Sequence, residues 1–530
     1  MKKKLAMMLG MTLIIGTLAG CGSTGDTGTA ADTEPAAEQT DSGQGTDAGV
    51  DAATESDAAS ETDSVLKDGN MVTLKVVCPG GTASPGSKGE VEAAINEIIA
   101  PYMDAQIEFE FLEWGVFQEQ KNLILSSGED YSLVFTFDSS RNYAMSHQVL
   151  DITDLLPVYA PGLTEEMGTY FDACKIGGRL YGVPTFHEYA SRHGITGMTS
   201  VLNELSIDPE SIQSWEDVDA MLAKVHEAHP EMNCLVPVDT NMILSGAWSN
   251  ASISKIIDGV GVYAEGDPLD VVNIYATPEY MEEVAKRAYD WNQKGYVIAD
   301  ASTIPEARQE LLAAGNSFAF CGGIHPGTKT QEAKNAGVDV TTMPIDRAVL
   351  NTSSVDFAQY MVPTACSTPE KAVKLLDLMY TDPDIVNLIS YGIEGKDYEI
   401  KDAERNIIGY PEGVDSSNVG WNNETWLVGN GELGYVWETD DPDIWEQYRE
   451  LNENSVKSCI FGFTFDPQNV KTQVTAIQNV ISKYGATIGC GYADPEESVA
   501  KFVEELEAAG INDVIAEAKT QIQAWMEENG

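Results

Sequence analysis

The chain has no Cys-x-x-Cys pair, which removes the usual thiolate zinc sites and the thioredoxin-like redox motif. It also has no Gly-x-x-x-x-Gly-Lys loop, no Gly-x-Ser-x-Gly elbow and no His-Glu-x-x-His helix. The common phosphate cradle, serine nucleophile and metalloprotease helix are therefore excluded. Its six histidines are scattered and form no metal-ligating constellation, and nothing in the sequence calls for a cofactor. Positive charge is scarce: 31 Lys and Arg stand against 84 Asp and Glu, a formal net charge of −53. Such a balance excludes nucleic acid and an anionic membrane surface as partners.

The chain opens with Lys2, Lys3 and Lys4, followed by an almost unbroken apolar run from Leu5 to Thr17. That length suits the apolar segment of a secretory leader and is short for crossing a hydrocarbon core of ~30 Å. The run ends in Leu18-Ala19-Gly20-Cys21, which resembles the lipobox of bacterial lipoprotein precursors. The resemblance implies a leader over residues 1–20, cleavage before Cys21, and a lipid carried on the Cys21 thiol. The expected location is extracytoplasmic, anchored to the cell membrane at the bacterial surface.

Residues 22–64 hold eleven Asp or Glu, no Lys or Arg, and Val50 as their only bulky aliphatic residue. Such a segment cannot bury enough apolar surface to offset its ordering entropy, so 21–68 reads as lipidated cysteine plus acidic tether. Without the tether's acids and the leader's lysines, 73 acidic residues still face 28 basic ones. Seven cysteines lie beyond Cys21, in apolar settings such as Phe318-Ala319-Phe320-Cys321, and read mostly as small buried hydrophobes.

The folded part begins with a β-branched run, Met71 to Cys78, then a Gly- and Pro-rich loop and a periodic helix over 90–102. A strand over 106–112, a helix over 116–126 and a strand over 131–137 follow. This alternation predicts a parallel sheet covered by helices, with ligands at the carboxyl ends of its strands. Further helices are expected at 215–228, 278–294, 369–380 and 385–391, with a strand at 316–321. Long helices over 467–484, 495–509 and 511–527 close the chain.

Several stretches resemble the type 1 extracellular solute-binding proteins of ABC importers. They are Leu125-Ser126-Ser127-Gly128-Glu129-Asp130-Tyr131, Gly177-Gly178-Arg179-Leu180-Tyr181-Gly182-Val183-Pro184 and Ser214-Trp215-Glu216-Asp217. Tyr391-Gly392-Ile393-Glu394-Gly395, Gly462-Phe463-Thr464-Phe465-Asp466-Pro467 and Ala509-Gly510-Ile511-Asn512-Asp513 are similar to one lipoprotein branch with a C-terminal domain of unknown function. The resemblance implies an α/β, bilobed, periplasmic-binding-protein-like fold with a hinge and a helix-rich C-terminal region. The bilobed region is expected over 69–365, with the first lobe at 69–187 and 317–365 and the second at 188–316. Residues 366–530 are expected to complete the second lobe. It further implies a monomer that is not an enzyme, hands a solute, expected to be a sugar or oligosaccharide, to ABC permease subunits, and holds to the membrane only through its lipid. A peptide or other small polar solute, and a surface glycan-processing enzyme, are the alternatives.

A sugar site needs aromatic faces for C–H surfaces and planar polar groups for hydroxyls. Trp114, at the end of a first-lobe strand, is the leading stacking candidate. Asp138 and Arg141 follow the third strand, and His187 and Tyr189 follow the first passage between lobes. Asn241 and Trp248 are candidates for the opposite jaw, Asp356 for the return between lobes, and Trp437 for a Trp-rich stretch of the C-terminal region.

Overall fold

The computed structural model describes residues 62–529 apart from 81, 84, 239–240, 245–252 and 304–307. Cys21, tether residues 22–61 and Trp248 lie outside the described residues. The end of the expected tether, 62–68, is instead part of the fold, with Leu66 buried in the first core and Asp68 paired with Lys371 at 2.9 Å.

The first sheet grows from the alternation predicted at the start of the folded part. Strand β1 (Val72–Pro79) is followed by α1 (Pro85–Ile99), β2 (Ala105–Leu112), α2 (Phe117–Ser127) and β3 (Leu133–Thr136). β1 runs parallel to β2, from Val72 beside Ala105 to Pro79 beside Leu112, and parallel to β3. Two shorter strands extend this sheet through antiparallel pairs, the first reversed and the second restoring the original direction. β13 (Gln359–Met361) pairs antiparallel with β3, and β4 (Val183–Pro184) pairs antiparallel with β13. The order is β2-β1-β3-β13-β4. Leu74, Val76, Phe109, Leu133 and Phe135 form its buried interior, as the β-branched and aromatic content requires.

The second sheet contains β5 (Arg192–Met198), β6 (Asn233–Val236), β10 (Ser317–Ile324) and β11 (Val340–Pro344), in the order β11-β5-β10-β6. Only β6 and β10 are parallel here; β5 is antiparallel to both of its neighbours. Helix α3 (Trp215–Ala228) covers it. The Ser214 hydroxyl accepts the Asp217 N–H at 3.2 Å as the helix's N-cap. A third, antiparallel sheet of β7 (Ile253–Ile257), β8 (Val260–Tyr263) and β9 (Val272–Asn273) packs on three long helices. These are α7 (Lys471–Gly489), α8 (Pro495–Ala508) and α9 (Ile511–Asn529); Val260, Val262, Phe502, Leu506, Val514 and Ile522 are buried between them.

The lobe boundaries differ from those expected. Residues 317–344 belong to the second sheet, because Ala319 to Ile324 pair residue by residue with Gly197 to Arg192. Conversely, α4 (Pro369–Thr381) and α5 (Pro383–Tyr391) pack on the first sheet through Leu375, Leu376, Ile385 and Ile389. Only the last stretch, from about Cys459, joins the second half. There the Asn292 side chain donates to the Cys490 carbonyl at 3.2 Å.

Three segments pass between the halves: the link from β4 to β5, the link from β11 to β13, and the exit from α6 (Ile444–Asn454). The second carries β12 (Val349–Leu350), which pairs parallel with β14 (Val456–Lys457) of the third. None of the seven cysteines in the described residues forms a disulfide; six are buried and Cys459 is half-buried.

Candidate functional site

The carboxyl edge of β1, β2 and β3 faces the three crossings, and aromatic rings gather there. β3 ends at Thr136, opposite Gln359, so Phe137 and Phe357 leave adjacent strands side by side. Their rings are stacked with centroids 6.1 Å apart. Trp426 comes from a short turn, Thr425–Leu427, held against the sheet by the Tyr360 hydroxyl, which donates to the Leu427 carbonyl at 2.9 Å. Its ring lies 6.4 Å from Phe357 and nearly parallel, at 19°. Trp114 stacks on the far side of Phe137 at 5.6 Å. Trp114 and Phe357 are 52% and 39% exposed, so this shelf presents open ring faces rather than a closed core.

Gly80 makes the shelf possible at its outer end. A Cβ there would fall 2.2 Å from the Trp114 indole nitrogen, and the residue's φ of +60° suits glycine. At the inner end, the His187 ring stands edge-on to Phe357 at 6.1 Å and to Trp426 at 6.4 Å. His187 is buried, its Nδ1 lies 2.9 Å from the Glu188 carbonyl, and its Nε2 has no hydrogen-bond partner among the described residues. Burial holds its pKa below the ordinary histidine value, against the pull of Glu188. The Glu188 carboxylate lies 3.8 Å from His187 Nδ1 and 3.5 Å from His325 Nδ1, and so links the first crossing to the end of β10.

Of the residues nominated from sequence, Trp114 and His187 lie in this shelf. Asp138 and Asp356 lie beneath it in a polar network. The buried Lys121 ammonium donates to Asp138 at 2.9 Å, as does the Tyr143 hydroxyl at 2.9 Å. Burial opposes the Asp138 charge, but Lys121 and Tyr143 outweigh it and hold the carboxyl below the ordinary range. Asp356 accepts from the Gln359 amide at 2.9 Å, and burial pushes its carboxyl up to about 7.

Arg141 reaches across the junction to Asp466 at 3.6 Å. Tyr189 is buried, and its hydroxyl donates to the Thr185 carbonyl at 2.9 Å, so it props the first crossing. Asn241 lies against α7 beside Gly485. Trp437 packs between Tyr391 and Tyr410, with centroids 5.7 and 4.5 Å away, in a satellite cluster with Tyr398 and Ile408.

Sequence reasoning did not nominate Phe137, Phe357 or Trp426 for the site. Phe137 and Phe357 each adjoin a nominated acid, Asp138 and Asp356, and this was the available signal. Two cavities flank the junction. One, of about 460 Å³, opens beside Trp114, Gly80, Lys88 and Glu113. Another, of about 640 Å³, lies between the second sheet's edge and α6, with Arg192, His325, Arg347 and Glu450 in its wall. No group of acids, histidines and cysteines among the described residues is arranged to hold a metal ion.

Residues 459–527 match the domain of unknown function DUF3502. A carbohydrate ABC transporter substrate-binding protein of Streptococcus pneumoniae serotype 4 is 25% identical over 448 residues, 80% of this chain and 85% of the relative. The N-glycan transport solute binding protein NgtS of Streptococcus pneumoniae superposes with a TM-score of 0.76 at 22% identity, covering 86% of this chain and 100% of NgtS. Its complex with Man5GlcNAc superposes at 0.64 and 23% identity, over 86% of this chain and 99% of that one. An HMO-binding, ABC-transporter-associated solute-binding protein of Bifidobacterium longum infantis gives 0.60 at 13% identity, over 86% and 99%. The chain thus has the α/β fold of ABC-importer solute-binding proteins, and the domain of unknown function occupies the helices α7 to α9 that pack on its third sheet.

Proposed function

We propose that this chain is the solute-binding component of an ABC importer and captures a carbohydrate, held between its halves on the shelf of Trp114, Phe137, Phe357 and Trp426. The observation that carries this reading is the half-open stack at the junction. Flat apolar faces beside a dense polar network suit a sugar ring, whose C–H face and hydroxyl rim demand both surfaces at once. The relatives' carbohydrate ligands support the same reading. Closure of the halves on the solute would present the complex to permease subunits, with the ligand contributing its differential affinity for the closed state. In this account Cys21 carries the lipid, the acidic tether holds the domain clear of the surface, and binding proceeds without catalysis. Among the described residues no helix is long and apolar enough to cross a membrane.

A thermal-shift screen of the full chain against Man1GlcNAc, Man5GlcNAc, other oligosaccharides and peptides tests the reading. A ligand at 100 times its Kd stabilises by about 2.7 kcal/mol, enough to raise the melting point visibly. Stabilisation by a glycan that is recovered unchanged supports the proposal. Stabilisation by peptides alone overturns the carbohydrate assignment, and hydrolysis of the bound glycan overturns the non-catalytic one.

A further inference from the structure

His187 closes the inner end of the shelf, and its chemistry goes further than a general affinity for sugars. Its Nδ1 lies 2.9 Å from the Glu188 carbonyl oxygen. A carbonyl can only accept, so Nδ1 carries the ring hydrogen. The ring is 8% exposed, and burial disfavours its protonated form. In the neutral tautomer that remains, Nε2 is a bare lone pair, and no described residue donates to it. Buried polar atoms in folded proteins are nearly always paired, so an orphan acceptor beside two stacking rings calls for a donor beyond the described residues.

We propose that His187 Nε2 accepts a hydrogen bond from a hydroxyl of the bound solute, so that the seat beside Phe357 and Trp426 selects a ring with a hydroxyl donor at one defined position. This rests on reading the shelf as a carbohydrate site. The rings fix the plane of the sugar, and the imidazole, standing nearly perpendicular to Phe357 at 87°, reads one point on its rim. The groups packed around the imidazole hold it in this role. Glu188 occupies the Nδ1 side, where its carboxylate is shared with His325, and the Tyr189 ring lies 4.9 Å away.

The test is a cycle between protein and ligand. Affinities of the full chain, His187→Phe and His187→Gln are measured calorimetrically for Man1GlcNAc and its monodeoxy analogues. The proposal expects His187→Phe to bind the parent at least about tenfold more weakly. One monodeoxy analogue should lose a similar factor with the unaltered chain and nothing further with His187→Phe. His187→Gln places an amide oxygen near the Nε2 position and should recover part of the loss, and it decides the case should His187→Phe fail to fold. Equal losses for every analogue in all three proteins, or His187→Phe within about twofold of the unaltered chain, overturn the proposal and leave the carbohydrate reading standing. Failure of the unaltered chain to bind this and longer glycans overturns both.

Discussion

Asn452 clamps the backbone on both sides of Glu188. Its side-chain oxygen accepts the Tyr189 N–H at 2.8 Å, and its side-chain nitrogen donates to the His187 carbonyl at 2.8 Å. One amide thereby ties the first crossing to α6, which leads into the third. Replacing Asn452 with Ala strands a buried N–H and a buried carbonyl. At about 1–3 kcal/mol for each unsatisfied group, Asn452→Ala should lose at least about 2 kcal/mol in urea denaturation. A loss under about 0.5 kcal/mol, typical of a neutral surface change, would show that the clamp is not holding the junction.

The shelf and the satellite ring cluster should separate cleanly on mutation. Phe357→Ala and Trp426→Ala remove part-exposed faces and should each weaken glycan binding about tenfold, or about 1.4 kcal/mol. Trp437→Ala removes a packed ring and should instead lower stability by about 3 kcal/mol while leaving affinity within about twofold. Calorimetry and denaturation on the same three proteins check both halves of this expectation. Equal affinity losses for all three would mean that the satellite cluster also touches ligand.

Asp356 predicts a pH signature. Its carboxyl is raised by burial from 3.8 to about 7, so the folded state favours the protonated form. The stability this contributes is complete below the ordinary carboxylate value and is lost as pH rises toward about 7. Asp356→Asn keeps a neutral group there and removes the titration. The stability of the unaltered chain minus that of Asp356→Asn should therefore decline between pH 4 and pH 7, as seen in melting points across that range. A flat difference would refute the assignment.

Lys121 is fully buried and ion-paired with the half-exposed Asp138. Lys121→Met deletes one partner and leaves the carboxylate to be met only by Tyr143 and Gln118. Breaking a buried pair costs about 3–5 kcal/mol; because Asp138 reaches solvent, the lower end is expected here. The double variant Lys121→Met with Asp138→Leu should recover much of that loss. A single variant as stable as the parent would mean that the network beneath the shelf is not structural.

Local patterns were legible in the sequence. The β-α-β-α-β opening, the helix α3 at 215–228 and the three closing helices occur in the expected order, although α1 spans 85–99 rather than 90–102 and α7 spans 471–489 rather than 467–484. The lobe boundaries were not, because strand partnership is non-local. Nothing in Phe318-Ala319-Phe320-Cys321 announces that it will pair with β5 rather than return to β1. The same limit applies to the shelf. Trp114 and His187 stand next to strand ends and could be nominated, whereas Phe137, Phe357 and Trp426 come together only through antiparallel pairing of β3 with β13 and the anchoring of one short turn. Tyr189 and Trp437 illustrate the converse: an aromatic residue near a crossing or in a Trp-rich stretch packs inward when its hydroxyl or neighbouring rings are satisfied within the fold.

The most direct test of the central claim is a crystal structure of the chain with Man5GlcNAc. The account predicts a sugar ring lying against Phe357 and Trp426 with a hydroxyl within hydrogen-bond distance of His187 Nε2. A glycan seated instead in the cavity walled by Arg192 and Arg347, with the aromatic shelf bare, would contradict it.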